Sequence, residues 1–295
     1  MQTVYLPAEP YPYETVTAVG FFDGVHIAHT ALLKETVRLA RELGVRSALF
    51  TFDELPTKAG EMIFSLSERL EKMEKLGIEV AFVARFSDIC GLSPEAFVEN
   101  ILVGVCRARF TVCGYNFRFG KGGVADASRL TALLPQSRVL SPVELSGAAV
   151  SSSRIRTLLA EGKIEEANRL LGEPYSVCAA VERGKALGRT LGFPTVNMRP
   201  DRMPLCNGVY ETRITLGGTV YAGVTDVGYR PTVEGDGERR IETHIIGYEG
   251  DLYGQRLSVS FVRRIRDEMT FDSKESLALR LKEDAKEAER NFKNE

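Results

Sequence analysis

Hydrophobic and polar positions along the first half of the chain fall into blocks whose period switches. A largely apolar run over residues 15–21 predicts a strand, and helical spacing across 31–43 follows and stops at Gly44. Residues 45–52 predict a second strand. Ser65, with Glu68 three positions on, sets a capping box for a helix that closes near Gly77. Residues 78–84 predict another strand, Ser93-Pro94-Glu95 a helix start with proline at its first position, and residues 109–113 a further strand. Strands alternating with helices imply a parallel sheet covered on both faces, with ligands at the carboxyl ends of its strands. Residues 21–29 leave the first of these strands at such an end.

The texture changes in the second half. A helical segment opens at Ser152 and is ended by Gly172-Glu-Pro174, so a domain boundary is expected there, giving domains 1–172 and 173–295. Beyond Tyr175, short runs rich in Val, Thr, Tyr and Ile (176–182, 209–216, 219–227, 241–247, 257–262) are separated by glycine turns. That pattern predicts an antiparallel barrel or sandwich. Asp272 is expected to cap a final helix, with Glu275 closing its capping box. Leu277, Leu281, Ala285 and Ala288 line one face of that helix and predict packing on the second domain.

Composition narrows the function classes. At 295 residues the chain accommodates two domains, and 44% hydrophobic with 26% charged residues is an ordinary globular balance. A formal charge of -2 supplies no global attraction to nucleic acid or to an anionic membrane. No apolar stretch is long enough to span a bilayer, and the first residues lack the basic start and apolar run of a signal peptide. The cysteines (Cys90, Cys106, Cys113, Cys178, Cys206) are odd in number and form no CxxC pair. They argue against a disulfide framework and a zinc site, and for a reducing cytoplasm, with the thiols buried as small hydrophobes. Nothing in the sequence indicates an obligate protein partner.

The candidate chemistry lies in two segments. In Gly20-Phe-Phe-Asp-Gly-Val-His-Ile-Ala-His29 a strand gives way to a helix. A helix starting near Val25 would place His26 and His29 on one side of its first turn. Free backbone amides and the positive dipole end favour phosphate there, two imidazoles add donors, and Gly24 permits close backbone approach. The second segment is Gly184-Lys-Ala-Leu-Gly188-Arg-Thr-Leu-Gly-Phe-Pro-Thr-Val-Asn197, which reads by itself as a glycine-rich loop suited to phosphate.

The first segment resembles the HxGH signature of nucleotidylyltransferases. It takes the form found in the bifunctional riboflavin kinase/FMN adenylyltransferase family, the FAD synthetases of bacteria. Gly114-Tyr-Asn-Phe-Arg-Phe-Gly120 follows in order, and Val150-Ser-Ser-Ser-Arg-Ile-Arg156 is similar to the ISSTxxR motif of that superfamily. The resemblance implies a Rossmann-like nucleotidyltransferase domain. Its phosphates would be met by Gly20, Phe22, Asp23, Gly24, Ser152, Ser153 and Arg156, with His26, His29 and Asn116 at the reacting centre. The family's TFxPHP-like stretch reads Thr51-Phe-Asp-Glu-Leu-Pro56, implying flavin contacts from Phe52 and Pro56. Ala28 stands where the family has glycine between the histidines.

The second segment resembles the riboflavin kinase signature with its PTxN core, here Pro194-Thr-Val-Asn197. This implies a barrel in which Gly184, Lys185, Gly188 and Arg189 bind ATP and Thr195 and Asn197 bind Mg²⁺. Glu242, in Ile241-Glu-Thr-His244, would be the base for the ribityl hydroxyl, with His244 on the same strand face in a supporting role. Arg266 and Glu268 would contact flavin or pair with each other at a strand end. The resemblance thus implies a cytoplasmic enzyme acting on riboflavin, FMN and ATP. Two other classes stay open: a kinase whose first domain is silent because of Ala28 and the altered 53–56 stretch, and a non-catalytic flavin or nucleotide sensor.

Overall fold

The computed structural model describes residues 1–54, 61–183, 192–232 and 235–294, apart from the side chains of 230–232 and 235–238. Of the residues singled out above, Pro56, Gly184, Lys185, Gly188 and Arg189 lie outside the described ones. The chain divides into two compact units, Met1–Ser152 and Ser153–Glu295.

The first unit is a layered α/β structure. Its strands are β1 (Gln2–Tyr5), β2 (Thr15–Val19), β3 (Arg46–Phe52), β4 (Val80–Ala84), β5 (Ala108–Gly114), the short pair β6 (Arg118–Phe119) and β7 (Ala125–Asp126), β8 (Ser137–Leu140), and a second short pair, β9 (Glu144–Leu145) and β10 (Ala148–Ala149). Six of them form one sheet in the order β1-β4-β3-β2-β5-β8, parallel throughout. The order reverses at β2, so the turn that leaves β2 opens at the switch point of the sheet, where such folds bind ligands. Alternate strand residues face opposite layers: Ala48, Phe50, Val80 and Phe82 enter one core, and Leu49, Ala81 and Val83 the other.

Around the sheet lie α1 (Ile27–Leu43), α2 (Leu66–Lys75), α3 (Phe86–Ile89), α4 (Pro94–Ala96), which continues as a π-helix over Phe97–Val105, and α5 (Ala127–Leu133). Gly44 ends α1 in the left-handed conformation, and Ser65 and Glu68 form the capping box of α2. Ser93 caps α4 from the predicted position, its hydroxyl accepting from Ala96 N at 3.1 Å.

The second unit contains α6 (Ser152–Ala160) from Ser153 onward, α7 (Ile164–Leu171) and a closed antiparallel barrel. The strands β11 (Tyr175–Glu182), β12 (Thr195–Met198), β13 (Gly208–Leu216), β14 (Thr219–Thr232), β15 (Gly235–Ile245) and β16 (Arg256–Arg266) close in the order β11-β12-β15-β14-β13-β16. A chain of buried hydroxyls, Thr212–Thr225–Thr243 with 2.9 Å links, crosses the barrel interior, so these polar side chains satisfy one another. The second unit begins well before Gly172 because α6 and α7 pack with the barrel. Asn168 Nδ2 donates to Phe261 O at 2.8 Å, its Oδ1 accepts from Tyr175 N at 2.7 Å, and Leu159 O accepts from Cys206 N at 2.9 Å.

The terminal helix α8 (Lys274–Phe292) lays Ala285 and Ala288 against Val209 and Val224 on the barrel wall. Its cap is Ser273, paired with Ser276, rather than the expected Asp272 and Glu275. Both residue types cap well; the chain turns helical one residue later than the pattern indicated. The cysteines also depart from expectation. Cys106 and Cys113 are buried, Cys178 and Cys206 are half-buried, and Cys90 is exposed.

Candidate active sites

In the first unit the turn after β2 carries three positive φ angles in four residues, Phe22 (57°), Gly24 (82°) and Val25 (40°). A β-branched residue there is strained, and the surroundings hold it. The Phe21 carbonyl accepts from Arg69 Nη1 at 2.7 Å and Thr51 Oγ1 at 2.9 Å, and Arg69 Nη2 reaches the Phe52 carbonyl at 2.9 Å. Arg69 is fully buried. In sequence it looks like one more surface charge on α2; its partners are carbonyls brought by β2 and β3.

The helix begins later than expected: His26 is the N-cap of α1 rather than part of its first turn. Its Nδ1 accepts from His29 N at 3.3 Å. The two rings still stack, centroids 3.6 Å apart and 15° from parallel. Burial lowers the His26 pKa to about 4. Burial, His26 and the Arg69 charge hold His29 well below its ordinary range. Both imidazoles are therefore neutral at physiological pH. Because Nδ1 of His26 is an acceptor, its proton resides on Nε2. His29 Nδ1 is buried without a hydrogen-bond partner among the described residues.

Two cavities adjoin these rings. A small one of about 120 Å³ is lined by His26, Ala28, His29, Gly114, Asn116, Ser151 and Ser152, among others. A larger one of about 700 Å³ is walled by Phe21, Phe22, Phe50, Phe52, Phe86, Phe97, Phe117 and Phe119, with Gly20, His29, Asn116 and the exposed Cys90. His29 and Asn116 border both. The Ala28 methyl lies in the wall of the small cavity. Asp23 behaves differently from expectation. Its side chain is buried, with Oδ1 accepting from Ile63 N at 2.9 Å and Phe64 N at 3.4 Å, so it braces the segment before α2. The Ser152 hydroxyl donates to the Asp23 carbonyl at 2.7 Å. Ser153 and Arg156 stand on the first turns of α6, joined by a 3.3 Å contact from Arg156 Nη2 to Ser153 Oγ.

In the second unit the segment read as a loop ends in a true strand. β12 pairs with β15 so that Thr195 faces His244 and Asn197 faces Glu242. The same row continues across the barrel wall: Glu242 opposite Asp226 on β14, Asp226 opposite Val209 on β13, Val209 opposite Arg266 on β16. His244 Nδ1 donates to the Pro194 carbonyl at 2.9 Å and its ring meets Phe193 edge-on at 5.3 Å, fixing the entry to β12. Asn197 is buried, and its Oδ1 has no hydrogen-bond partner among the described residues. A buried carbonyl oxygen without a donor fits a cation ligand, and the Thr195 hydroxyl lies two residues away. Among the described residues no group of three His, Cys, Asp or Glu side chains could hold a metal.

Thr195 borders two cavities. One, about 710 Å³, includes Pro194, Asn197, Thr243, Tyr248, Asp251 and Tyr253. The other, about 340 Å³, includes Phe193, Asp226, Glu242, His244, Arg266, Glu268, Phe271, Leu277 and Leu281. Arg266 and Glu268 do not pair with each other. Arg266 grips buried Asp284 of α8 through Nε at 3.0 Å and Nη2 at 2.8 Å, and Glu268 accepts from Asn207 Nδ2 at 3.1 Å. The Glu268 carboxylate lies over Gly228, where a Cβ would make it shift. Asp226 went unremarked in the sequence. Burial, reinforced by Glu268 and Glu242 and opposed by Arg266, raises its pKa to about 6.

A parallel-sheet unit with paired histidines at its switch point is followed along the chain by a closed barrel that carries a Thr/Asn/Glu row. The FAD synthetase family model matches residues 8–154 and the riboflavin kinase family model residues 171–292. The chain belongs to the bifunctional riboflavin kinase/FMN adenylyltransferase family. It is 33% identical to the protein of that description from Listeria monocytogenes, over 99% of this chain and 98% of that one. The Pseudomonas fluorescens protein of the same description is 35% identical over 89% and 88%. A crystal structure described as a macrolide-efflux protein from Streptococcus pneumoniae shares the fold over 99% of both chains, with a TM-score of 0.88 and 29% identity. Among the described residues of this chain, no helix is long and apolar enough to cross a membrane.

Proposed function

We propose that the two units perform successive reactions on one flavin. The barrel transfers the γ-phosphoryl group of ATP to the terminal ribityl hydroxyl of riboflavin, giving FMN and ADP. The first unit joins FMN to the AMP portion of a second ATP, giving FAD and pyrophosphate. The observation that carries this reading is the register that sets Asn197 opposite Glu242 beside two cavities, while a separate histidine-lined cavity serves the other unit.

In the barrel, Glu242 takes the proton of the attacking hydroxyl, whose oxygen bonds to the γ-phosphorus as ADP leaves. The larger cavity, beside Asn197, suits the nucleotide. The smaller, with its apolar wall and carboxyls, suits the flavin, with Arg266 and Glu268 at its rim. Thr195 and Asn197 would hold a divalent cation, for which we propose Mg²⁺. Such an ion, when bound, neutralises phosphate charge. The glycine-rich stretch with Gly184, Lys185, Gly188 and Arg189 is assigned to ATP on its resemblance.

In the first unit the FMN phosphate is itself the nucleophile and already ionised, so no base is needed. One of its oxygens attacks the α-phosphorus, and pyrophosphate departs. Neutral His26 and His29 offer N–H groups to the growing charge, and Asn116, bordering both cavities, faces the reacting phosphates. The phenylalanine-lined cavity with Phe52 suits the flavin ring. The motif holding Ser152, Ser153 and Arg156 is assigned to ATP phosphates on its resemblance. The absence of a membrane-spanning helix among the described residues is compatible with the cytoplasmic location we propose.

The test is chromatographic separation of flavins after incubation with riboflavin or FMN, each with ATP and Mg²⁺. Wild type forms FAD from both, and Glu242→Gln forms FAD only from FMN. Loss of both activities in folded Glu242→Gln would overturn the two-site reading, and FMN accumulating without FAD would restrict the protein to the kinase step.

A further inference from the structure

The smaller barrel cavity contains a carboxyl to which the reaction above gives no role. Asp226 borders it together with Glu242, His244, Arg266 and Glu268. These neighbours are engaged within the protein, among them His244 with the Pro194 carbonyl, Arg266 with the Asp284 carboxylate and Glu268 with the Asn207 amide. Asp226 makes no hydrogen bond or ion pair with any described residue. The rest of the wall is largely apolar, with Phe193, Val209, Val224 and Phe271 on the barrel side and Leu277 and Leu281 from α8. A half-buried carboxylate beside an apolar wall is incompletely solvated, and a ligand that brings hydroxyl donors would satisfy it.

We propose that Asp226 recognises the ribityl chain of riboflavin, accepting hydrogen bonds from hydroxyls other than the one phosphorylated. Asp226 stands one cross-strand step from Glu242, a spacing of about 5 Å between paired backbones. That step matches the reach of a polyol whose end lies at Glu242 and whose middle passes Asp226. A flavin has the complementary chemistry, an apolar ring for the wall and a row of hydroxyl donors for the carboxyls. The raised pKa of Asp226, about 6, still leaves it mainly ionised at pH 7.5 and above, as an acceptor requires. The inference rests on the proposed kinase reaction and adds a residue that sets substrate choice.

The experiment uses the full chain and initial rates of FMN formation with riboflavin, 3′-deoxyriboflavin and 4′-deoxyriboflavin. Wild type should disfavour at least one deoxy substrate. Asp226→Ala should lower kcat/KM for riboflavin roughly ten- to a hundredfold, mainly through KM. It should also erase that discrimination, while KM for ATP and FAD formation from FMN stay unchanged. Asp226→Asn, which keeps one acceptor oxygen, should fall between and covers the case in which the alanine variant does not fold. Wild-type kcat/KM for riboflavin, or undiminished discrimination, in the folded variants overturns the inference. Should wild type form no FMN, the kinase reading fails. Fluorescence titration with riboflavin then decides: weaker binding by the variant supports a role for Asp226, and equal or absent binding refutes it.

Discussion

Replacing Asp226 by asparagine should stabilise the barrel in a pH-dependent way. Below an ordinary aspartate pKa of 3.8 the carboxyl is protonated in both folded and unfolded chains, and burial costs nothing extra. As pH rises, the unfolded chain ionises first, while the folded group holds its proton until about 6. Stability therefore falls across that window and levels off above it. At about 1.4 kcal/mol per pH unit the full penalty is on the order of 3 kcal/mol, or about 2 once water in the open cavity is allowed for. Asp226→Asn removes it. The gain should be nearly complete at pH 8, about half as large at pH 5, about a fifth as large at pH 4 and absent below about pH 3. Urea unfolding read by hydrogen-exchange mass spectrometry on peptides from β14 and β15 separates the barrel from the first unit. A variant less stable than wild type at pH 8, or a gain of equal size at pH 5 and pH 8, would refute the reasoning. A residue that weakens its own fold while gripping substrate is an instance of stability exchanged for function.

Other outcomes follow from the same geometry. His26→Asn keeps a capping side chain but removes an imidazole, so FAD formation from FMN should drop on the order of 10²-fold, with FMN formation unchanged. Because His26 and His29 are already neutral well below pH 6, the wild-type rate of FAD formation should show no imidazole limb between pH 6 and 8; one that vanishes in His26→Asn would contradict their burial. Gly228→Ala forces the Glu268 carboxylate to move aside and should slow FMN formation by up to about tenfold while sparing FAD formation; an unaffected kinase rate would show that the present placement of Glu268 is not needed. Asp284→Ala strands the Arg266 guanidinium and should destabilise the barrel by about 3–5 kcal/mol, measurable by the same urea titration.

Much of the architecture was legible where a local rule has a single outcome. Ser65 and Glu68, Gly44, and the alternation of strands and helices marked α1, α2 and the strands β2 to β5, whereas the short strands β1 and β8 and the helix α5 carried no such signal. β12 was missed because its four residues follow a glycine-rich stretch, and only pairing with β15 makes them a strand. The chemistry divides in the same way. His26, His29, Asn116, Thr195, Asn197 and Glu242 carry motif signals. Asp226, Asp284 and Arg69 have none, since each looks like a surface charge on its own element. Their surroundings are set by distant chain: the β14–β15 register, the Arg266 side chain, and the carbonyls of Phe21 and Phe52.

The row Asn197–Glu242–Asp226–Val209–Arg266 has a consequence beyond placing side chains. It is written in main-chain hydrogen bonds around a closed ring of strands, so no member can drift without a neighbour. A slip of one residue in β15 would turn Glu242 inward and carry Thr243 outward, breaking the buried hydroxyl chain in the same movement. If the row forms the kinase site proposed above, that site should be inherited as a unit. Mutation can exchange one tooth of the comb and lower a rate, but it cannot slide the comb, so the alignment of the row should be lost only when the barrel opens.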